Sequence, residues 1–171
     1  MSDIIKRVKG FADMFEPEST AFTHLENTAR RVFASYGFTE LRTPILERTE
    51  LFARGIGDET DVVQKEMYTF TDRGGRSLTM RPEATAGVMR AFIESAMANS
   101  QPISKFFSYG PMFRYEQPQK GRLRQFHQIN CECLGPVEPG ADAELITMLV
   151  HFLSELGIGE LSVEINSLGD K

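Results

Sequence analysis

The 171-residue chain is 41% hydrophobic and 25% charged, with a formal net charge of −5. That balance belongs to a globular sequence long enough to bury one core, and it argues against a protein that coats nucleic acid through a broad basic surface. No run approaches the roughly 18 to 20 apolar residues that span a bilayer, and the start Met1-Ser2-Asp3-Ile4-Ile5-Lys6-Arg7 lacks the apolar block of a secretion signal, so one cytoplasmic domain is expected.

Ser19 is placed to cap a helix whose Phe22, Leu25, Ala29, Val32 and Phe33 recur at three- and four-residue intervals, with Gly37 ending it. Phe38 to Leu46 reads as one strand containing Pro44. Proline removes a ladder donor, so this strand is expected at an edge or a paired boundary, and an edge invites a partner chain. Residues 53–61 form a polar loop spaced by Gly55 and Gly57, with too few phosphate-cradling features for a Walker-type loop.

Met67-Tyr68-Thr69-Phe70 and Ser77-Leu78-Thr79-Met80 flank Asp72-Arg73-Gly74-Gly75-Arg76, the strongest hairpin signal in the chain. The second strand runs into Arg81-Pro82-Glu83. Pro82 suits a first helical turn, with Val88, Met89, Phe92, Ile93 and Ala96 as the apolar face. Glu83 then lies in that first turn.

Phe113-Arg114-Tyr115-Glu116 and the run from Arg124 to Glu132 read as the two strands of a hairpin. Alternation places Arg114 and Glu116 on one side of the first, and Arg124, Phe126, Gln128, Asn130 and Glu132 on one side of the second. The opposite parity, His127, Ile129, Cys131 and Cys133, is more apolar and faces a core. The intervening Gln117-Pro118-Gln119-Lys120-Gly121-Arg122-Leu123 is turn-like and can move over an anionic ligand. From Arg114 to Arg124 there are four cations and one acid, a local balance of +3 in an acidic chain. Positive charge is concentrated beside a polar sheet face that looks built to hold a nucleotide.

The only cysteines, Cys131 and Cys133, are read as buried free thiols, and no metal site is expected. His24, His127 and His151 are read as packing or surface residues, having no neighbouring triad pattern. Ala141 to Leu156 is a helix with Leu145, Ile146, Leu149, Phe152, Leu153 and Leu156 inward, and Leu161 to Ile165 begins a last strand. Strands joined by hairpins with helices at intervals imply an α+β domain with a largely antiparallel sheet.

Several of these segments resemble the class II aminoacyl-tRNA synthetases, and within them the histidyl branch. Gly37 to Glu47 is similar to the first family motif, whose proline, here Pro44, sits at a homodimer interface. Phe113 to Glu132 is similar to the second motif. Arg81-Pro82-Glu83-Ala84-Thr85 resembles the histidyl amino-acid-binding signature, and Gln125-Phe126-His127-Gln128 and Lys9-Gly10-Phe11-Ala12-Asp13 also fit that branch. The resemblance covers nearly the whole chain. The third motif and the anticodon-binding domain are expected beyond Lys171, so residues 1–171 look like the amino-terminal part of a catalytic domain.

The resemblance implies activation of histidine by ATP, transfer to tRNA(His), a homodimer and a need for Mg2+, whose ligands fall mostly outside this segment. It assigns Arg114 to the α-phosphate and the attacking carboxylate. Glu83, Thr85 and Gln128 go to the α-ammonium of histidine, and Glu132 to the imidazole. Glu116 goes to the adenine amino group, Phe126 to the base, and Arg122 and Arg124 to the phosphates or the tRNA acceptor end. The plainer alternatives are a salt bridge for Arg114, core packing for Phe126, solvated loop cations for Arg122 and Arg124, an exposed sheet face for Gln128 and Glu132, and for Glu83 a helix-start acid worth about 0.3 to 1 kcal/mol. A synthetase-like regulatory subunit of ATP phosphoribosyltransferase shares the family and would have lost part of this residue set.

Overall fold

A computed structural model describes residues 4–56, 65–117 and 119–166. Helix α1 (Glu18–Ser35) leads into a short strand β1 (Thr39–Glu40), then β2 (Leu46–Arg48) and helix α2 (Thr49–Ile56). Strands β3 (Tyr68–Thr71) and β4 (Ser77–Met80) precede helix α3 (Thr85–Glu94). The long strands β5 (Ser104–Phe113) and β6 (Gln125–Leu134) are followed by helix α4 (Gly140–Glu155).

The strands form two three-stranded sheets, ordered β1-β5-β6 and β2-β4-β3. In the first, β1 runs parallel to β5 and β6 runs antiparallel to it, from Ser104 opposite Leu134 to Phe113 opposite Gln125. In the second, β4 pairs antiparallel with both neighbours. This is the expected α+β arrangement with mainly antiparallel pairing. Arg81 joins the sheets through its backbone: its N–H donates to Ile45 O at 2.9 Å, and its carbonyl accepts from Phe113 N at 3.0 Å.

The core lies between one face of the β5–β6 sheet and the pair α1 and α4. Ala29, Val32 and Phe33 of α1 meet Phe107, Met148 and Phe152, with the Phe33 ring centroid 5.4 Å from Phe107 and 5.1 Å from Phe152. Ile129, Cys131 and Cys133 pack against this cluster, so the apolar parity of β6 faces the helices as its alternation requires. Gly37 closes α1 at φ +80°, with Gly37 N donating to Ala34 O at 3.0 Å and Phe38 N to Phe33 O at 3.0 Å. A left-handed residue there lets the chain reverse and return Phe38 to the core.

Several expectations are corrected. Helix α1 starts at Glu18, so Ser19 lies inside it and does not cap it. Phe38–Leu46 is not one strand: Pro44 falls in an exposed connection between β1 and β2, each at a sheet edge. Residues 53–56 finish α2 instead of opening a loop, and 57–61 lie outside the described residues. Pro82 and Glu83 precede α3. Ile93 is exposed and Ala96 lies past the end of α3. On α4, Met148 is buried while Leu149 is exposed. Leu161–Ile165 runs without strand pairing.

The hairpin of β3 and β4 forms as expected. Asp72 organises its turn by accepting from Gly74 N and Arg76 N, both at 2.9 Å, while Arg76 Nε donates to the same carboxylate at 2.8 Å. Cys131 and Cys133 are free thiols as expected, but each is half-buried and not fully buried. Burial, with a smaller contribution from Glu132, pushes Cys131 up from 9.0 to about 12. Between those values the unfolded chain releases the proton and the folded chain keeps it. Folding stability contributed by this thiol is therefore whole below pH 9 and falls as pH rises toward 12. Urea titrations at pH 8 and pH 10 should show a lower midpoint at the higher pH in the wild type than in Cys131→Ala, each scaled to its own pH 8 value. Parallel behaviour of the two would contradict the assignment.

Candidate active site

The face of the β5–β6 sheet turned away from α1 and α4 carries the polar parity. Register pairs Phe126 with Met112, Gln128 with Gly110, Asn130 with Ser108 and Glu132 with Phe106, so Phe126, Gln128, Asn130 and Glu132 share one floor. Arg114 is not part of that ladder. Strand β5 ends at Phe113, and residues 114–117 are irregular, which corrects the reading of Phe113–Glu116 as a strand. Even so, Arg114 comes to the floor. Its N–H still bonds Arg124 O at 2.9 Å, and its guanidinium lies 5.1 Å from the Phe126 ring centroid.

The Arg114 side chain is anchored by Nε donating to Pro82 O at 2.9 Å. Among the described residues no carboxylate pairs with it, and Glu116 instead meets Arg122 NH1 at 3.3 Å. A half-buried guanidinium fixed at one nitrogen and unpaired by any acid is available to an anionic ligand.

Glu83 lies just before α3, where its carboxylate accepts from Thr85 N at 2.5 Å and Ala86 N at 2.9 Å. It therefore serves the helix start as an anionic cap. The Thr85 hydroxyl donates to Glu132 Oε1 at 2.7 Å, and Asn130 Nδ2 donates to the same oxygen at 3.3 Å. Ser108 in turn donates to Asn130 Oδ1. A continuous polar chain thus links the start of α3 to the centre of β5. Gln128 Oε1 is buried with no hydrogen-bond partner among the described residues. Glu83 and Thr85 also border a cleft of about 630 Å³ between α2 and α3.

The two loop cations differ. Arg122 is exposed; its backbone pairs with Gln119 and its guanidinium meets Glu116. Arg124 lies 3.9 Å from the Tyr115 ring centroid and donates through Nε to Glu116 O at 3.1 Å. Its backbone N–H bonds Gly10 O at 2.7 Å, which lays the amino-terminal segment across the start of β6. The His127 ring meets Phe22 at 5.0 Å yet stays exposed, so it lies at the rim and not in the core with the rest of its parity; His151 shares a hydrogen bond of 3.3 Å with Tyr36, and His24 is exposed.

Sequence reasoning therefore brought Glu83, Thr85, Arg114, Phe126, Gln128 and Glu132 to one region. It missed Asn130 as the link between Glu132 and β5, because its partner Ser108 lay in a strand not read as such. It also gave Arg81 no role.

Residues 10–169 match the family model described as histidyl-tRNA synthetase. The chain belongs to the histidyl-tRNA synthetase family. It is 70% identical over 165 residues to a histidine–tRNA ligase of Oleidesulfovibrio alaskensis, an alignment covering 96% of this chain and 40% of that protein. The apo histidyl-tRNA synthetase of S. aureus superposes with a TM-score of 0.77 at 38% identity, covering 91% of this chain and 36% of that one. A Bacillus halodurans protein described as an ATP phosphoribosyltransferase regulatory subunit/histidyl-tRNA synthetase gives a TM-score of 0.78 at 20% identity, covering 94% and 40%. That likeness shows a common fold. This histidyl-tRNA synthetase family chain spans about 40% of the length of the curated relatives it matches.

Proposed function

We propose that the complete protein is a histidine–tRNA ligase and that residues 1–171 supply the amino-terminal part of its catalytic domain. The observation that carries this reading is the buried, unpartnered Gln128 Oε1 on the same floor as Glu132, with Glu83 and Thr85 at its edge. A buried acceptor without a donor costs roughly 1 to 3 kcal/mol, which a bound donor removes. An ammonium supplies three N–H donors, and a carboxylate close to an imidazole N–H suits the other end of histidine.

In activation, a carboxylate oxygen of histidine attacks the α-phosphorus of ATP. The new O–P bond forms as the bond to the bridging oxygen breaks, and pyrophosphate leaves with that electron pair. Arg114 stabilises the charge that accumulates on the phosphoryl oxygens, which a fixed fork does better than a mobile ammonium. Phe126 stacks the adenine on the ring face opposite Arg114, Glu116 accepts from the adenine amino group, and Arg122 and Arg124 add positive charge beside the phosphates. Among the described residues no three His, Cys, Asp or Glu side chains converge as a metal-binding set. The Mg2+ expected with ATP is read, from the family resemblance, as held mostly by residues outside this segment, and no step here runs through it.

Exposed Arg122 and Lys120 suit contact with the acceptor end of tRNA(His). A homodimer contact at Pro44 is supported by its exposure beside Ile45 and Leu46, 42% and 44% accessible on an edge. No described helix is long and apolar enough to cross a membrane, and a cytoplasmic location accords with a tRNA substrate. The test is histidine-dependent exchange of labelled pyrophosphate into ATP. The complete protein should exchange with histidine and with no other amino acid, and residues 1–171 alone should stay at background. No exchange by the complete protein, or robust exchange by the segment, overturns the respective claim.

A further inference from the structure

Arg81 is only 6% exposed, and among the described residues no carboxylate forms an ion pair with it. Burial lowers its pKa from the ordinary 12.5, with only a partial offset from Glu47. Removing a cation from water without a counter-ion is costly, and an aliphatic side chain of similar length would fill the space at less cost. What the guanidinium does instead is hold backbone. Its Nε donates to Pro111 O at 3.0 Å, and NH1 donates to Thr43 O at 2.9 Å and Thr43 Oγ1 at 3.1 Å.

Gly110 is shaped for this. At φ +150° it adopts a conformation that favours glycine, and a Cβ there would clash with Arg81 NH2. The guanidinium terminus thus fills the side-chain space of the residue paired with Gln128. Together with its backbone bonds to Ile45 and Phe113, Arg81 clamps the β1–β2 connection, the end of β4 and the end of β5. The next residues along the chain are Pro82, whose carbonyl holds Arg114, and Glu83, whose carboxylate caps the start of α3.

We propose that Arg81 is a positioning residue for amino-acid activation: its buried guanidinium fixes the separation between Arg114 and the Thr85–Glu132–Gln128 side of the site. The proposal rests on the ligase reading above. Loss of this clamp moves the phosphate-binding cation relative to the bound amino acid while leaving each group present. Misplacement by about 1 Å costs on the order of 100-fold in rate, so a shift of a fraction of that gives roughly tenfold.

The experiment uses the complete protein carrying Arg81→Lys, and separately Thr43→Val, which keeps side-chain shape and removes one acceptor of the guanidinium. Pyrophosphate exchange gives kcat and KM for histidine, and thermal melting reports folding. The expected result is a kcat about tenfold lower for Arg81→Lys and about threefold lower for Thr43→Val, with KM for histidine and the melting temperature nearly unchanged. Wild-type kcat in either folded variant overturns the proposal, as does a kcat loss matched by melting temperature alone. If Arg81→Lys fails to fold, Thr43→Val decides by the same criterion. Absence of exchange in the wild type instead overturns the ligase reading, which separates the two failures.

Discussion

Arg114→Ala in the complete protein should lower kcat for histidine-dependent pyrophosphate exchange by about 100- to 1000-fold, the range found when one preorganised donor to a developing anion is removed. The dissociation constant for histidine should change by less than about threefold. The asymmetry follows from placement. Arg114 sits beyond the end of β5, held through Nε by Pro82 O and lying over Phe126, while the histidine-facing groups Gln128 and Glu132 belong to β6 and stand on their own backbone. A group whose main partner is charge that appears only as the new O–P bond forms contributes little to ground-state affinity. Arg114→Lys should fall between, since it restores charge without the fork. Equal losses in affinity and kcat would make Arg114 a uniform binding residue, and exchange within about threefold of wild type would remove it from the reaction.

What the sequence disclosed, and what it hid, follows from how periodic each segment is. Helices α1 and α4, the β3–β4 hairpin and the two faces of β6 were legible because one side of each meets the core and the other does not, so period 3.6 or 2 is written into the residues. Strand β5 was not. It is the central strand of its sheet, most of its residues on both faces are buried, and its apolar run carries no alternation. Polarity points instead to Phe113–Glu116, which leaves out Gly110 and Ser108, the partner of Asn130. Pro44 marks an edge within what reads as a single strand from Phe38 to Leu46, whereas the break there, a chain that leaves one sheet and joins another, depends on pairing with β5 and β4. Leu161–Ile165 has the alternation of a strand, but alternation without a neighbouring ladder makes none. Arg81 shows a further limit: nothing in composition marks a cation that tertiary packing will bury, because its acceptors are main-chain carbonyls that 30 or more residues separate from it.

Glu83 poses the sharpest choice between a structural and a functional part. Its carboxylate already accepts two N–H groups at the start of α3, and a residue doing only that would be a helix cap. Glu83→Gln keeps a carbonyl oxygen that can accept one of those bonds and removes the charge. As a cap alone, the change should cost about 0.5 to 1 kcal/mol of stability, a shift of a few degrees in melting temperature, with histidine affinity untouched. If the carboxylate also faces the α-ammonium, a charge-assisted hydrogen bond worth about 1.5 to 3 kcal/mol is lost, and the dissociation constant should rise about 10- to 100-fold. Ligands that differ in one group separate the causes. Histidinol keeps the ammonium and lacks the carboxylate, so it should lose affinity as histidine does. Imidazole-lactate lacks the ammonium, so it should bind the wild type weakly and Glu83→Gln no more weakly. Such a cycle isolates the pairwise interaction from any general loosening of α3, because loosening would weaken all three ligands together. A uniform loss across histidine, histidinol and imidazole-lactate, or no loss for any of them, would leave Glu83 as a cap and move recognition of the ammonium to Gln128 and Thr85.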